Sequence, residues 1–143
     1  MIVVDASVAV KWLPAENGSA AVIALLRGRR SELPAPDLLL VEAAGAVVRR
    51  VNDRTLSRED GAATLERWWV GANSGDVIFH RADAGLLRRA AVTAIGLGHP
   101  LKDCVYLALA IELGCELVTC DAKFRDKAAD AYARVRHLDE YAS

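Results

Sequence analysis

Four acidic residues stand where an apolar run hands over to a helical one. They are Asp5 after Ile2-Val3-Val4, Glu42 after Leu38-Leu39-Leu40-Val41, Asp103 after Pro100-Leu101-Lys102, and Asp121 after Leu117-Val118-Thr119-Cys120. Burying unpaired carboxylates is costly, because each ion loses its hydration and its like-charged neighbours repel it. Four such acids brought together need a cation of matching charge, and one or two Mg²⁺ or Mn²⁺ ions suit a set of carboxylate oxygens. With that cation comes phosphodiester hydrolysis, in which a bound water is made more acidic and charge developing on the phosphoryl oxygens is neutralised.

Each acid also has an ordinary reading. Asp5 and Asp121 precede helical segments and could simply be N-caps. Asp103 could be a first-turn acid that complements the helix dipole. Glu42 resists such readings best, because it sits in Leu38-Leu39-Leu40-Val41-Glu42-Ala43-Ala44-Gly45-Ala46-Val47-Val48, apolar on almost every face. A buried Glu without a nearby basic residue in sequence needs a distant Arg or a metal. Ser7, two residues after Asp5, and Thr119, two before Asp121, could orient the carboxylates, although serine is common in a first helical turn and threonine in a strand. Asp126 is either a fifth, outer acid or a solvated helix residue. His80, His99 and His137 have no paired spacing and read as surface or loop residues, with no Ser/His/Asp triad among them.

Apolar runs of strand length alternate with longer stretches of helical period, the pattern of an α/β domain with a mostly parallel sheet. Strands are expected near residues 2–5, 77–79, 116–119 and 133–137, with Leu33 to Pro36 as an edge strand because proline cannot donate to a central ladder. Helices are expected from Asp5 to Pro14, Ser19 to Gly28, about Leu38 to Asn52, from Ser57 onward, after Asp83, and from about Pro100 to Leu113, closed by Gly114. In the fourth, Ser57 and Asp60 resemble a capping box, and Ala62, Leu65 and Trp69 form the stripe to be buried; in the fifth the stripe is Leu87, Ala91 and Ala94. Trp68 and Trp69 must diverge by about 100° on a helix, so one surface cannot bury both. In open parallel sheets ligands bind beyond the carboxyl ends of the strands. On this map Asp5 and Asp121 end strands, Glu42 and Asp103 fall in first turns, and all four can reach one edge.

At 143 residues and 53% hydrophobic, the chain fits a single domain over 1–143 that buries roughly 70% of its unfolded surface. Lys and Arg number 18 against 19 Asp and Glu, which excludes a polycationic nucleic-acid binder. Setting the four acids aside leaves 18 basic against 15 acidic residues, a net +3, so a metal-loaded protein would be mildly basic and weakly suited to a polyanion. Lys11, Lys102, Lys123 and Arg125 flank the acids and could steer a phosphate backbone onto them. Cys104, Cys115 and Cys120 lack zinc-ligand spacing and read as reduced thiols of a cytoplasmic protein. No segment approaches the ~20 apolar residues of a membrane span.

With these residues in hand the chain resembles the PIN-domain proteins, and among them the VapC ribonuclease toxins of toxin–antitoxin pairs. The likeness rests on Ile2-Val3-Val4-Asp5-Ala6-Ser7-Val8 with its D-x-S, on Pro36-Asp37-Leu38 through Glu42, and on Pro100-Leu101-Lys102-Asp103-Cys104-Val105-Tyr106-Leu107-Ala108-Leu109-Ala110. It continues in Leu117-Val118-Thr119-Cys120-Asp121-Ala122-Lys123-Phe124 with its T-x-D, and in the tail Val135-Arg136-His137-Leu138-Asp139. The resemblance implies a three-layer α/β/α fold whose mostly parallel sheet of four to five strands is flanked by helices. It implies Asp5, Glu42, Asp103 and Asp121 as catalytic, metal-binding acids, with Ser7 and Thr119 in support. Lys102 departs from the uncharged or aromatic residue of many relatives. Further implications are Mg²⁺ or Mn²⁺, an RNA substrate, a homodimer and a VapB-like antitoxin bound across a groove near the first helices, where Val8, Trp12, Leu13, Val22, Ile23 and Leu26 would line the groove or else pack in the core. Two other functions remain open: a phosphohydrolase with Asp5 as nucleophile, although such enzymes want a second acid where Ser7 stands, and a non-catalytic interaction domain of the same fold.

Overall fold

The computed structural model describes residues 1–12 and 33–141. The expected helix from Ser19 to Gly28, its neighbour Pro14, and the groove candidates Leu13, Val22, Ile23 and Leu26 lie outside the described residues. Among those described, five short strands run parallel: β1 (Ile2–Val4), β2 (Leu33–Pro36), β3 (Val77–His80), β4 (Glu116–Thr119) and β5 (Val135–His137). β4 lies between β1 and β5, with Val3 opposite Leu117 and Leu117 opposite Val135, and β2 pairs with β3. Helices flank the sheet in the three-layer α/β/α arrangement.

β2 keeps the expected edge character, since among the described residues it forms a two-stranded sheet with β3 alone. It lies beside β1, and its Leu33 shares a buried cluster with Ile2 and Val4. Leu33 and Asp37 donate backbone hydrogen bonds to Asp76 and His80 at 2.9 and 2.8 Å. Strand alternation turns positions 34 and 36 the other way, toward β1, and both are proline with no N–H to give. The prolines therefore leave β2 without a ladder toward β1, and side-chain packing in place of hydrogen bonds joins the two sheets there.

Alternation along the strands buries both faces. Val3, Leu117 and Val135 join one large cluster with most of the helices, while Ile2, Val4 and Val118 join a smaller one with Val8 and Leu138. Val8 is thus core, not groove lining. The first helix is short: α1 (Ala6–Ala9) passes into a 3₁₀ turn at Val10–Trp12. α2 (Leu38–Asn52) starts at Asp37, whose Oδ1 accepts the Ala82 N–H at 3.1 Å and ties the helix start to the chain after β3. α4 (Ala84–Leu97) and α5 (Leu101–Leu113) end at Gly98 and Gly114, with φ of 63° and 65°, the left-handed geometry that glycine adopts without a Cβ penalty. α5 is buried continuously from Cys104 to Ala110, because the strands cover one side of it and α4 covers another. No single described helix is long and apolar enough to cross a membrane.

Two expected stripes are rotated. α3 (Arg58–Ala72), capped by Ser57 Oγ accepting the Asp60 N–H at 3.0 Å, buries Gly61, Thr64 and Trp68, leaving Ala62 and Trp69 exposed. The cause is close approach to α2: a Cβ on Gly61 would stand 2.3 Å from Val51 Cγ2. In α4 the buried row is Leu86, Ala90 and Ala94, with Leu87 facing out, since the two alanines let α4 lie close on α5.

The α2–α3 contact yields a test. Gly61→Ala gains about 1 kcal/mol of helix propensity but meets a β-branched side chain with little freedom to move. Overpacking should win, lowering stability by about 1 to 3 kcal/mol in urea unfolding, with Val51→Ala in the same chain restoring part of the loss. Equal or higher stability for the single variant would contradict this packing.

Candidate active site

Asp5 follows β1 and sits at the carboxyl edge of the sheet, only 3% exposed. Its Oδ1 accepts the Ser7 hydroxyl at 2.5 Å and the Val8 N–H at 3.2 Å, so it caps α1 as well. The Thr119 hydroxyl also hydrogen-bonds this carboxylate, and accepts the Asp121 N–H at 3.0 Å. Ser7 Oγ in turn accepts the Cys120 N–H at 2.9 Å. Both supporting hydroxyls therefore converge on Asp5; Thr119 reaches the backbone of Asp121. Burial raises the Asp5 carboxyl to about 6; the hydrogen bonds from Ser7, Thr119 and Val8 pull the other way, and the charge of Asp103 adds to the rise.

Asp121 follows β4 and caps α6 (Ala122–Ala129), its Oδ1 accepting the Phe124 N–H at 2.9 Å. Capping uses one carboxylate oxygen, so the cap reading and the site reading of Asp5 and Asp121 are compatible. Asp103 lies in the first turn of α5, and its Oδ2 is 2.7 Å from His99 Nε2. His99, Asp103 and Asp121 each place one ligand atom within 4.8 Å of the others.

Glu42 lies past the first turn of α2, not within it. Its side chain, 15% exposed, accepts the Tyr106 hydroxyl at 2.8 Å and stands 3.8 Å from Lys102 Nζ. The absence of a nearby basic residue in sequence was therefore a poor guide: the partners come from α5, four residues apart on either side of Asp103. Burial, then the charge and hydrogen bond of Glu42, holds the Tyr106 hydroxyl far above the ordinary phenol value, so it stays protonated and donates. Asp5 and Asp103 also press on that hydroxyl electrostatically.

Asp103 and Asp121 share a compact group with His99; the charge of Asp103 is felt at Asp5, and the Tyr106 hydroxyl bonded to Glu42 feels both Asp5 and Asp103. Asp5 and Glu42 stand outside the compact group of three. The donor set fits a divalent cation that favours oxygen, with the imidazole as a neighbouring nitrogen; a spread just under 5 Å matches ligand atoms around one ion bound at about 2.0 to 2.6 Å. His99 is the residue that the reading of scattered histidines missed. The signal available was its position four residues before Asp103, one helical turn away. Asp126 is exposed and paired with Arg125 at 3.3 Å, an ordinary surface acid. All three cysteines are free thiols.

Comparison with known proteins adds the family. The PIN domain model matches residues 2–130. No curated protein matches the sequence. Among solved structures the fold is similar to that of Mycobacterium tuberculosis VapC20, a sarcin–ricin loop cleaving toxin, with a TM-score of 0.69 at 15% identity, covering 95% of this chain and 99% of that one.

The raised Asp5 carboxyl gives a signed prediction. Between its ordinary value of 3.8 and about 6 the folded state holds a proton that the unfolded state releases, so stability falls as pH rises through that window and stays lower above it. In chelator, Asp5→Asn should be more stable than the wild type above pH 6, by up to roughly 3 kcal/mol, and the gain should fade toward pH 4. Denaturant unfolding at pH 4 and 7.5 measures it; a less stable variant at pH 7.5 would contradict the burial argument.

Proposed function

The chain belongs to the PIN domain family, and from that premise we propose that it is a Mg²⁺- or Mn²⁺-dependent endoribonuclease, the toxin of a VapBC-type pair. The observation that supports this reading is the compact group of His99, Asp103 and Asp121, with the buried Asp5 feeling the charge of Asp103. The similarity to a toxin that cleaves the sarcin–ricin loop supports RNA as the substrate class. A single domain over 1–143, a VapB-like antitoxin, a homodimer and a cytoplasmic setting belong to the same reading.

When bound, a divalent cation supplies an acidified water and neutralises charge on the phosphoryl and leaving oxygens. Asp5, Asp103 and Asp121 would hold it through carboxylate oxygens, with Glu42 at the margin. Ser7 and Thr119 fix the direction of Asp5, and the protonated Tyr106 hydroxyl fixes that of Glu42. Lys102, exposed beside Glu42, gives the RNA backbone an ammonium to dock against.

A phosphohydrolase using Asp5 as nucleophile fits poorly, because that carboxylate is buried and one oxygen already accepts two hydrogen bonds. One observation favours a non-catalytic interaction domain: Glu42 has protein partners in Tyr106 and Lys102 and so does not by itself demand a cation.

Cleavage of total cellular RNA separates these. The wild type should give discrete fragments with Mg²⁺ or Mn²⁺ and none with chelator, while Asp103→Asn, folded as judged by circular dichroism, should lose activity by on the order of 100-fold or more. Unchanged cleavage by the variant contradicts the site. Hydrolysis of p-nitrophenyl phosphate without action on RNA favours the phosphohydrolase, and absence of divalent-metal binding favours the interaction domain.

A further inference from the structure

His99 is the middle residue of the three-residue turn between α4 and α5, where Gly98 in left-handed geometry ends one helix and Pro100 caps the start of the next. The His99 N–H reaches the Ala94 carbonyl at 3.0 Å, which sets the ring at the start of α5, one turn before Asp103. Its side chain is only 7% exposed and stacks on Phe124 of α6, with ring centroids 4.5 Å apart and planes inclined by 21°. Phe124 is the residue whose N–H is capped by Asp121. Lys127 Nζ, bonded to the Gly98 carbonyl at 3.1 Å, holds the same turn to α6. The imidazole is therefore wedged between the elements that bear Asp103 and Asp121.

Its two nitrogens differ sharply. Nε2 lies 2.7 Å from Asp103 Oδ2, and a nitrogen that close to a carboxylate oxygen carries its proton toward it. Nδ1 is buried with no hydrogen-bond partner. An orphaned buried polar atom is a cost to the fold. A hydrocarbon ring would keep the stacking on Phe124 and remove that cost, so packing alone does not account for an imidazole here.

We infer that His99 is a positioning residue for the metal site: its Nε2–H holds one oxygen of Asp103 and thereby aims the carboxylate at the cation. The inference rests on the proposed site at Asp5, Asp103 and Asp121. Hydrogen bonds from neighbouring groups fix the orientation of ligating carboxylates, and their loss typically weakens metal affinity by about 10- to 100-fold.

The experiment compares wild type, His99→Phe, His99→Gln and Asp103→Asn. Each is titrated with Mn²⁺ by calorimetry and melted in chelator, and bound Mn²⁺ is examined by electron spin-echo spectroscopy. Gln keeps an N–H donor near the place of Nε2, whereas Phe keeps the ring and loses the donor. The expected result is Mn²⁺ affinity reduced by about 10- to 100-fold in His99→Phe, largely kept in His99→Gln, with no fall in the metal-free melting temperature of His99→Phe and no directly coordinated nitrogen on Mn²⁺.

Wild-type affinity in His99→Phe overturns the inference. So does equal loss of affinity and metal-free stability in both His99 variants, which assigns the ring to packing, or a directly coordinated nitrogen, which makes His99 a ligand. If Asp103→Asn binds Mn²⁺ as the wild type does, or the wild type binds none, the site reading fails and the inference falls with it. Loss in Asp103→Asn with none in His99→Phe overturns the inference alone.

Discussion

Burial of the Asp5 carboxyl against Ser7, Thr119 and the Val8 amide couples β1, α1 and the end of β4 in one set of contacts. Water would solvate this group far better than the protein does, and the hydrogen bonds only partly offset the loss, which is why its proton is held up to about 6. The neighbouring charge of Asp103 makes the arrangement worse. A structure that keeps such a group at the carboxyl edge of its central strand carries an electrostatic load there.

The remaining architecture distributes that load. α5, buried along its length, carries Lys102, Asp103 and Tyr106 within two turns, and so presents an acid to Asp5 while providing both partners of Glu42. Its start is fixed by the Gly98-His99-Pro100 turn, and that turn is held against α6 by stacking on Phe124 and by Lys127. The proline seam between β2 and β1 belongs to the same economy of backbone donors. Where Pro34 and Pro36 give nothing, Leu33 packs beside Ile2 and Val4.

Much of this was legible in the residues themselves. Strand runs, glycine helix stops and the acids at strand ends are local signals, and the elements that bear the four carboxylates fall close to where those signals put them. What failed was rotational and long-range. The stripes on α3 and α4 turned because Gly61 meets Val51 and because Ala90 and Ala94 meet α5, contacts between elements that hydrophobic spacing does not encode. Glu42 lacked a visible partner because Lys102 and Tyr106 lie about sixty positions away in sequence, as the 64-residue separation to Tyr106 records. His99 was passed over because its importance lies in a turn geometry and in stacking on a residue from another helix.

The proposed site requires a divalent cation at the sheet edge, held near Asp103 and Asp121 and offsetting the charge of the buried Asp5. A crystal grown with Mn²⁺ and measured at the manganese absorption edge tests it most directly. The expected result is an anomalous peak bounded by carboxylate oxygens of Asp103 and Asp121, with Asp5 directed toward it. A well-ordered site with no peak there, or a peak held by other residues while these carboxylates stay apart from it, would rule out a cation at this edge.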